Sequence, residues 1–197
     1  MVLGDSTPTS CSGGPTRMRR TPRDHPIETP VRRTPLKIGT TTATEESGPK
    51  MSSWSPEVDE VLEASGWTPG RKVDTARWRS MFEGVGLAMH DAAEAFLQEF
   101  GGLAVNVSGP GISCARTPFE LDPELSWGED DRFTEWGDAI GHHLYPIGEL
   151  HHGRFFLVID EVGVIYLVEN WVASFGPMPH AMESLVLGVA PRRIDEG

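Results

Sequence analysis

Seven histidines in a chain of 197 residues raise metal chemistry first. His142-His143 and His151-His152 flank one predicted strand, while His90 and His180 stand elsewhere. Adjacent residues of an extended chain point to opposite faces, so neither pair is expected to chelate as a unit. No Cys-x-x-Cys or His-x-x-x-His spacing accompanies them. Gly109-Pro110-Gly111 lacks the Lys-Ser/Thr of a phosphate loop, and Pro110 removes a backbone donor. Cys114 reads as a small buried hydrophobe rather than a nucleophile, since no His-containing motif goes with it. Asp160-Glu161 is an acid pair, but a predicted hairpin tip should leave it too solvated for split pKa values. There is no Gly-x-Ser-x-Gly elbow. The residues ask for no catalysis, no cofactor and no metal.

What remains is charge. Glu120, Asp122, Glu124, Glu129, Asp130, Asp131, Glu135 and Asp138 face only Arg132 in one short stretch, with Trp127 among them. An acidic surface with an aromatic anchor can dock on a basic partner, and complementary charge speeds the encounter. Glu124, Trp127, Glu129, Asp130, Asp131 and Glu135 are therefore the candidate partner-binding residues. The plainer reading is a solvated loop and helix start, in which Asp130 and Asp131 favour the helix macrodipole. Charge density alone does not separate the two.

The elements that must position these residues follow from periodicity. Ser55-Pro56-Glu57 predicts a helix start, with Val58, Val61 and Leu62 on one face and Gly66 as the stop. Asp74 can cap a second helix with the stripe Trp78, Met81, Phe82 and Val85. A third carries Met89, Ala93, Phe96, Leu97 and Phe100 up to Gly101-Gly102. There the period drops to two: Leu103, Val105 and Val107 alternate as a strand, Ser108 to Gly111 turns the chain, and a short strand follows around Arg116 to Leu121. Asp130-Asp131 opens a helix with Phe133, Trp136 and Ile140 on one side. Leu144 to Leu150 predicts a strand with Pro146 at an edge or bulge. Arg154 to Ile159 and Val164 to Val168 form a hairpin turned at Gly163, apolar on both faces and so central. A last helix after Pro179 closes at Gly188. The sum is an α+β fold, with an antiparallel or mixed sheet and helices packed on it.

Composition divides the chain at about Met51. All 16 aromatics lie beyond it, and the first 50 residues hold eight Lys/Arg against five Asp/Glu. The rest holds nine against 24, a balance of 9 − 24 = −15. Residues 1–52, with Arg-Arg-Thr-Pro at both Arg19 and Arg32, are expected to be a disordered basic Pro/Thr-rich extension. A translation start at Met51 would make that arm an artefact of the gene model. Residues 53–197 are expected to form one acidic domain, large enough to be stable without disulfide or metal. Two cysteines, no long apolar run and no signal-like N-terminus point to a cytoplasmic protein.

The ordered landmarks carry a resemblance. Trp54-Ser55-Pro56 opens a helix, and Gly66-Trp67-Thr68-Pro69-Gly70-Arg71 follows it. Then come Phe96 to Leu103, Leu144 to Glu149, the glycine-turned hairpin, and a short helix ending Leu187-Gly188. No single piece is specific, but their combination from residue 54 to about 190 resembles the SUKH superfamily (Smi1/Knr4-like), specifically its third bacterial subgroup. The resemblance implies an immunity protein of a polymorphic toxin system. Such a protein binds and neutralises a cognate toxin, typically a nuclease or, for this subgroup, a nucleic-acid deaminase; the acidity of residues 53–197 adds that the toxin should present a basic surface. It implies no catalytic residues, no nucleic-acid or membrane partner, and an architectural role for Trp67, Trp78, Gly101 and Gly102. A regulatory or scaffolding adaptor for an endogenous protein is the alternative. Oligomeric state is left open.

Overall fold

The computed structural model describes residues 54–194. The expected extension lies outside the described residues. Five helices run α1 Pro56–Ala64, α2 Ala76–Glu83, α3 Asp91–Phe100, α4 Asp130–Ile140 and α5 His180–Leu187. Nine strands run β1 Ala104–Val105, β2 Gly109–Pro110, β3 Ala115–Arg116, β4 Phe119–Glu120, β5 Tyr145–Leu150, β6 Phe155–Ile159, β7 Val164–Val168, β8 Val172–Pro177 and β9 Arg192–Arg193. Seven of them form one antiparallel sheet in the order β1-β4-β5-β6-β7-β8-β9, and β2 pairs with β3 apart from it. The fold is α+β.

The β6–β7 hairpin is central, as its apolar composition requires. Phe156 and Val168 are paired and share one face, where Phe156 meets Phe133 of α4 at 5.7 Å. Leu157 and Leu167 share the other, where Leu167 and Phe175 lie beside Leu185 of α5. Helices thus cover both faces, which is why neither strand alternates with polar residues. Pro146 lies at a register shift in β5, where Tyr145 and Pro146 pair with Ile159 and Val158 but Gly148 pairs with Leu157. At that bulge Gly148 comes so close to β4 that an added Cβ would lie 2.0 Å from the Glu120 carbonyl oxygen. The outer strands, β1 and β9, are each only two residues long.

Several local expectations shift. Ser55 stands at the α1 N-cap without a side-chain cap bond, and its N–H donates to Glu183 of α5 at 3.0 Å. Asp74 does accept from the Ala76 N–H at 2.9 Å, although Thr75 is the α2 N-cap residue. Val85 is not on the α2 stripe: the helix ends at Glu83, and Val85 sits exposed between Gly84 and Gly86. The turn expected at Ser108–Gly111 is moved onward, because Gly109 and Pro110 pair with Arg116 and Ala115. The ribbon tip then caps α5, with N–H groups of Ile112, Ser113 and Cys114 donating to the carbonyls of Leu187 and Gly188. Cys114, expected to be buried, is exposed there. Strands β8 and β9 add to the expected set.

Candidate partner-binding surface

Pro123–Ser126 forms a single 3-10 turn that sets the acidic stretch in place. Asp122 precedes it and is an anchor: its Oδ1 accepts from the Glu124 N–H at 2.9 Å and from the Trp78 indole N–H at 3.1 Å. Pro123 and Ser126 are buried, so the turn is nailed to the body. Trp127 then swings out and is 52% exposed. Its inner edge meets the fully buried Phe82 at 5.8 Å, which fixes the ring without covering it.

The six candidate residues fall into two groups. Glu124 is bridged by Arg77 at 2.6 Å, and Glu129 by Arg132 at 2.9 Å. Arg132 also donates to the Glu169 carbonyl at 2.7 Å and lies over Trp136 at 4.5 Å. These two carboxylates are partly neutralised and help hold the surface. Asp130, Asp131 and Glu135 make no ion pair among the described residues. Phe133 and Gly137 are the buried side of α4, so Asp131, Glu135 and Asp138 form an exposed stripe opposite. Trp127 thus closes the turn before α4, and the acids with no ion pair among the described residues lie on α4 itself. Sequence reasoning missed Val85 and Leu125, which are 40% and 42% exposed. Leu125 lies two residues before Trp127, and Val85 follows α2 just beyond Phe82. The glycines on either side of Val85 were the available signal that it leaves the helix.

The other chemistry resolves differently than expected. Asp160 is not solvated: it is fully buried. Its carboxylate accepts from the Val162 and Val164 N–H groups at 3.0 and 2.8 Å and from the Tyr166 hydroxyl at 2.7 Å. Burial first, and this hydrogen bond next, push the Tyr166 phenol well above its ordinary range. Glu161 stays exposed and is held below the usual carboxylate range by backbone N–H donors, its own and that of His143, and by the His142 side chain. His90 caps α3: Nδ1 accepts from the Ala93 N–H at 3.1 Å, leaving Nε2 to donate to the Ile159 carbonyl at 3.3 Å. Burial lowers its pKa, consistent with the neutral ring this geometry needs. His151 and His152 are not extended but lie in a turn with φ of 61° and 55°. Among the described residues no three His, Cys, Asp or Glu are grouped to hold a metal. Asp160 and His90 thus hold structure together.

A comparison with protein families matches residues 54–188 to the SUKH-3 immunity protein profile, from α1 to the glycine that closes α5. The chain belongs to the SUKH-3 immunity protein family. No curated protein and no solved structure matches it. Within this SUKH-3 domain Trp67 and Trp78 are buried, as the resemblance implied. Gly101 lies so close to Trp78 that an added Cβ would stand 2.6 Å from the indole. No helix among the described residues is long and apolar enough to cross a membrane.

Proposed function

We propose that this SUKH-3 protein is a cytoplasmic, cofactor-free inhibitor. It binds a cognate polymorphic toxin, a nucleic-acid deaminase or nuclease, and occludes the basic surface that would hold the polynucleotide. Residues 53–197 are the immunity domain and residues 1–52 an extension to it. The observation that carries the reading is Trp127, held half-exposed at the end of a buried turn and followed along the chain by Asp130, Asp131 and Glu135, which make no ion pair among the described residues. A half-exposed aromatic close in the chain to several acids suits a partner that presents an apolar pocket near Lys and Arg. Binding, not turnover, is the activity: the toxin's own cations are neutralised and its cleft is filled.

Affinity for the toxin domain encoded beside this gene tests the reading, measured by calorimetry and by growth rescue on co-expression. Reversing Glu129, Asp130 and Asp131 to Lys is expected to weaken binding at least about 100-fold, chiefly through the association rate. Trp127→Ala is expected to weaken it by about 2 kcal/mol, through faster dissociation. Unchanged affinity in both would move the toxin to another face.

A further inference from the structure

The residue that caps the N-terminus of α3 is a histidine, where Ser, Thr, Asp or Asn is the usual choice. His90 Nδ1 accepts the Ala93 N–H at 3.1 Å. Across the same ring Nε2 donates at 3.3 Å to the carbonyl of Ile159, the last residue of β6. One imidazole therefore ties the start of a helix to the end of a central strand. Both bonds need a single tautomer, bare at Nδ1 and protonated at Nε2. An imidazolium donates from both nitrogens, so it keeps the Ile159 bond but turns an N–H toward the Ala93 N–H. The cap cannot survive that change.

The groups around the half-buried ring are mixed in charge. His143, after α4, meets it edge to face with centroids 5.6 Å apart, and Tyr145 of β5 lies at 6.3 Å. On α3 itself Asp91 and Glu94 stand in the first turn, and Arg79 of α2 bridges Glu94 at 2.8 Å. The same guanidinium donates to the Met89 carbonyl at 3.3 Å. Asp160 and Glu161 face His90 from the hairpin tip, but Asp160 already serves its own turn and Tyr166, and Glu161 serves His142 and the His143 N–H. Burial is the largest influence and lowers the His90 pKa. The Ile159 carbonyl opposes it, His143 lowers it further, and Glu161 and Asp160 raise it, with a net fall.

We propose that His90 is a proton-operated latch between α3 and the β6–β7 hairpin. Neutral, it holds the helix start to the end of β6. Protonated, it gives up the cap and confronts a second histidine, so this junction is the first part of the domain to loosen in acid. A histidine whose pKa falls on folding takes its proton more readily in the unfolded chain. Its contribution to stability is complete above the unfolded value of about 6.5 and is lost as pH falls below it. The latch stands whether or not the toxin surface proposed above is correct, since neither His90 nor Ile159 belongs to that surface.

Urea unfolding of the full chain at several values between about pH 7.5 and 5.2 tests the latch, with His90→Asn taken through the same series. Asparagine keeps a cap acceptor and does not titrate. Across this range the folding constant of the wild type is expected to fall at least about threefold more than that of His90→Asn. Glu161, held below the usual carboxylate range, acts only in stronger acid. Glu149, raised by burial and by Glu120, is common to both chains and cancels in the difference. Hydrogen exchange in the wild type gives a local readout that needs no variant. The protection of the Ala93 amide is expected to fall before that of the β6 and β7 amides as pH drops. Equal pH dependence in wild type and His90→Asn overturns the proposal. So does an Ala93 amide that stays protected until the whole domain opens.

Discussion

Asp160→Ala is expected to destabilise the folded domain by about 3–4 kcal/mol, lowering Tm by on the order of 10 °C. The side chain is fully buried and serves three donors: two backbone N–H groups of its own turn and the Tyr166 hydroxyl. Alanine leaves those donors without an acceptor in a place water does not reach, and a hydrogen bond to a charged group is among the stronger kinds. Tyr166→Phe removes one of the three bonds and is expected to cost only about 1 kcal/mol. Asp160→Asn keeps an acceptor for the turn and should fall between the two. Urea unfolding with an unchanged m-value checks the series. Equal loss in Asp160→Ala and Tyr166→Phe would mean that the turn's own N–H groups find other partners.

Gly148→Ala is expected to cost about 3 kcal/mol or more. The added methyl would lie 2.0 Å from the Glu120 carbonyl oxygen and 2.8 Å from the Leu121 Cα. Both neighbours are backbone, so relief requires β4 to move from β5 or the bulge to open. Gly163→Ala is the contrasting control. Its φ of 89° strains an alanine, but nothing lies within 4 Å of the new Cβ, so about 1–2 kcal/mol is expected. Both glycines have positive φ, Gly148 at 153° and Gly163 at 89°, so the difference between their urea midpoints reports what close approach adds to backbone strain. If Gly163 proves the more costly, the β4 backbone beside Gly148 yields easily and crowding adds little.

Much of the fold was legible in the sequence because single residues carried it. Proline and glycine bounded α1 and α5, Asp130-Asp131 opened α4, and the unbroken apolar runs of β6 and β7 marked the centre of the sheet. Strand β8 was not legible, since Val172–Pro177 lacks clean alternation and carries Gly176 and Pro177 within it. Nor was β9, two arginines whose strand character comes only from pairing with Ala173 and Ser174. At the candidate site the acids and Trp127 were legible as residue types. Their sorting into paired Glu124 and Glu129 and unpaired Asp130, Asp131 and Glu135 was not, because Arg77 approaches from α2, far along the chain. The burial of Asp160 was hidden for a similar reason. A hairpin tip is wet by default, and here the Tyr166 hydroxyl at 2.7 Å and the His142 ring at 3.5 Å approach the carboxylate from elements the pattern of the tip does not reveal.

The margins of the sheet bear on whether copies of this immunity-family domain can zip onto one another. With only two residues in β1 and two in β9, a stray chain finds almost no free backbone to zip onto. Pro191 withholds an amide just before β9, and the guanidinium groups of Arg192 and Arg193 crowd the approach. Strand stacking therefore has little backbone to build on at either margin of this sheet.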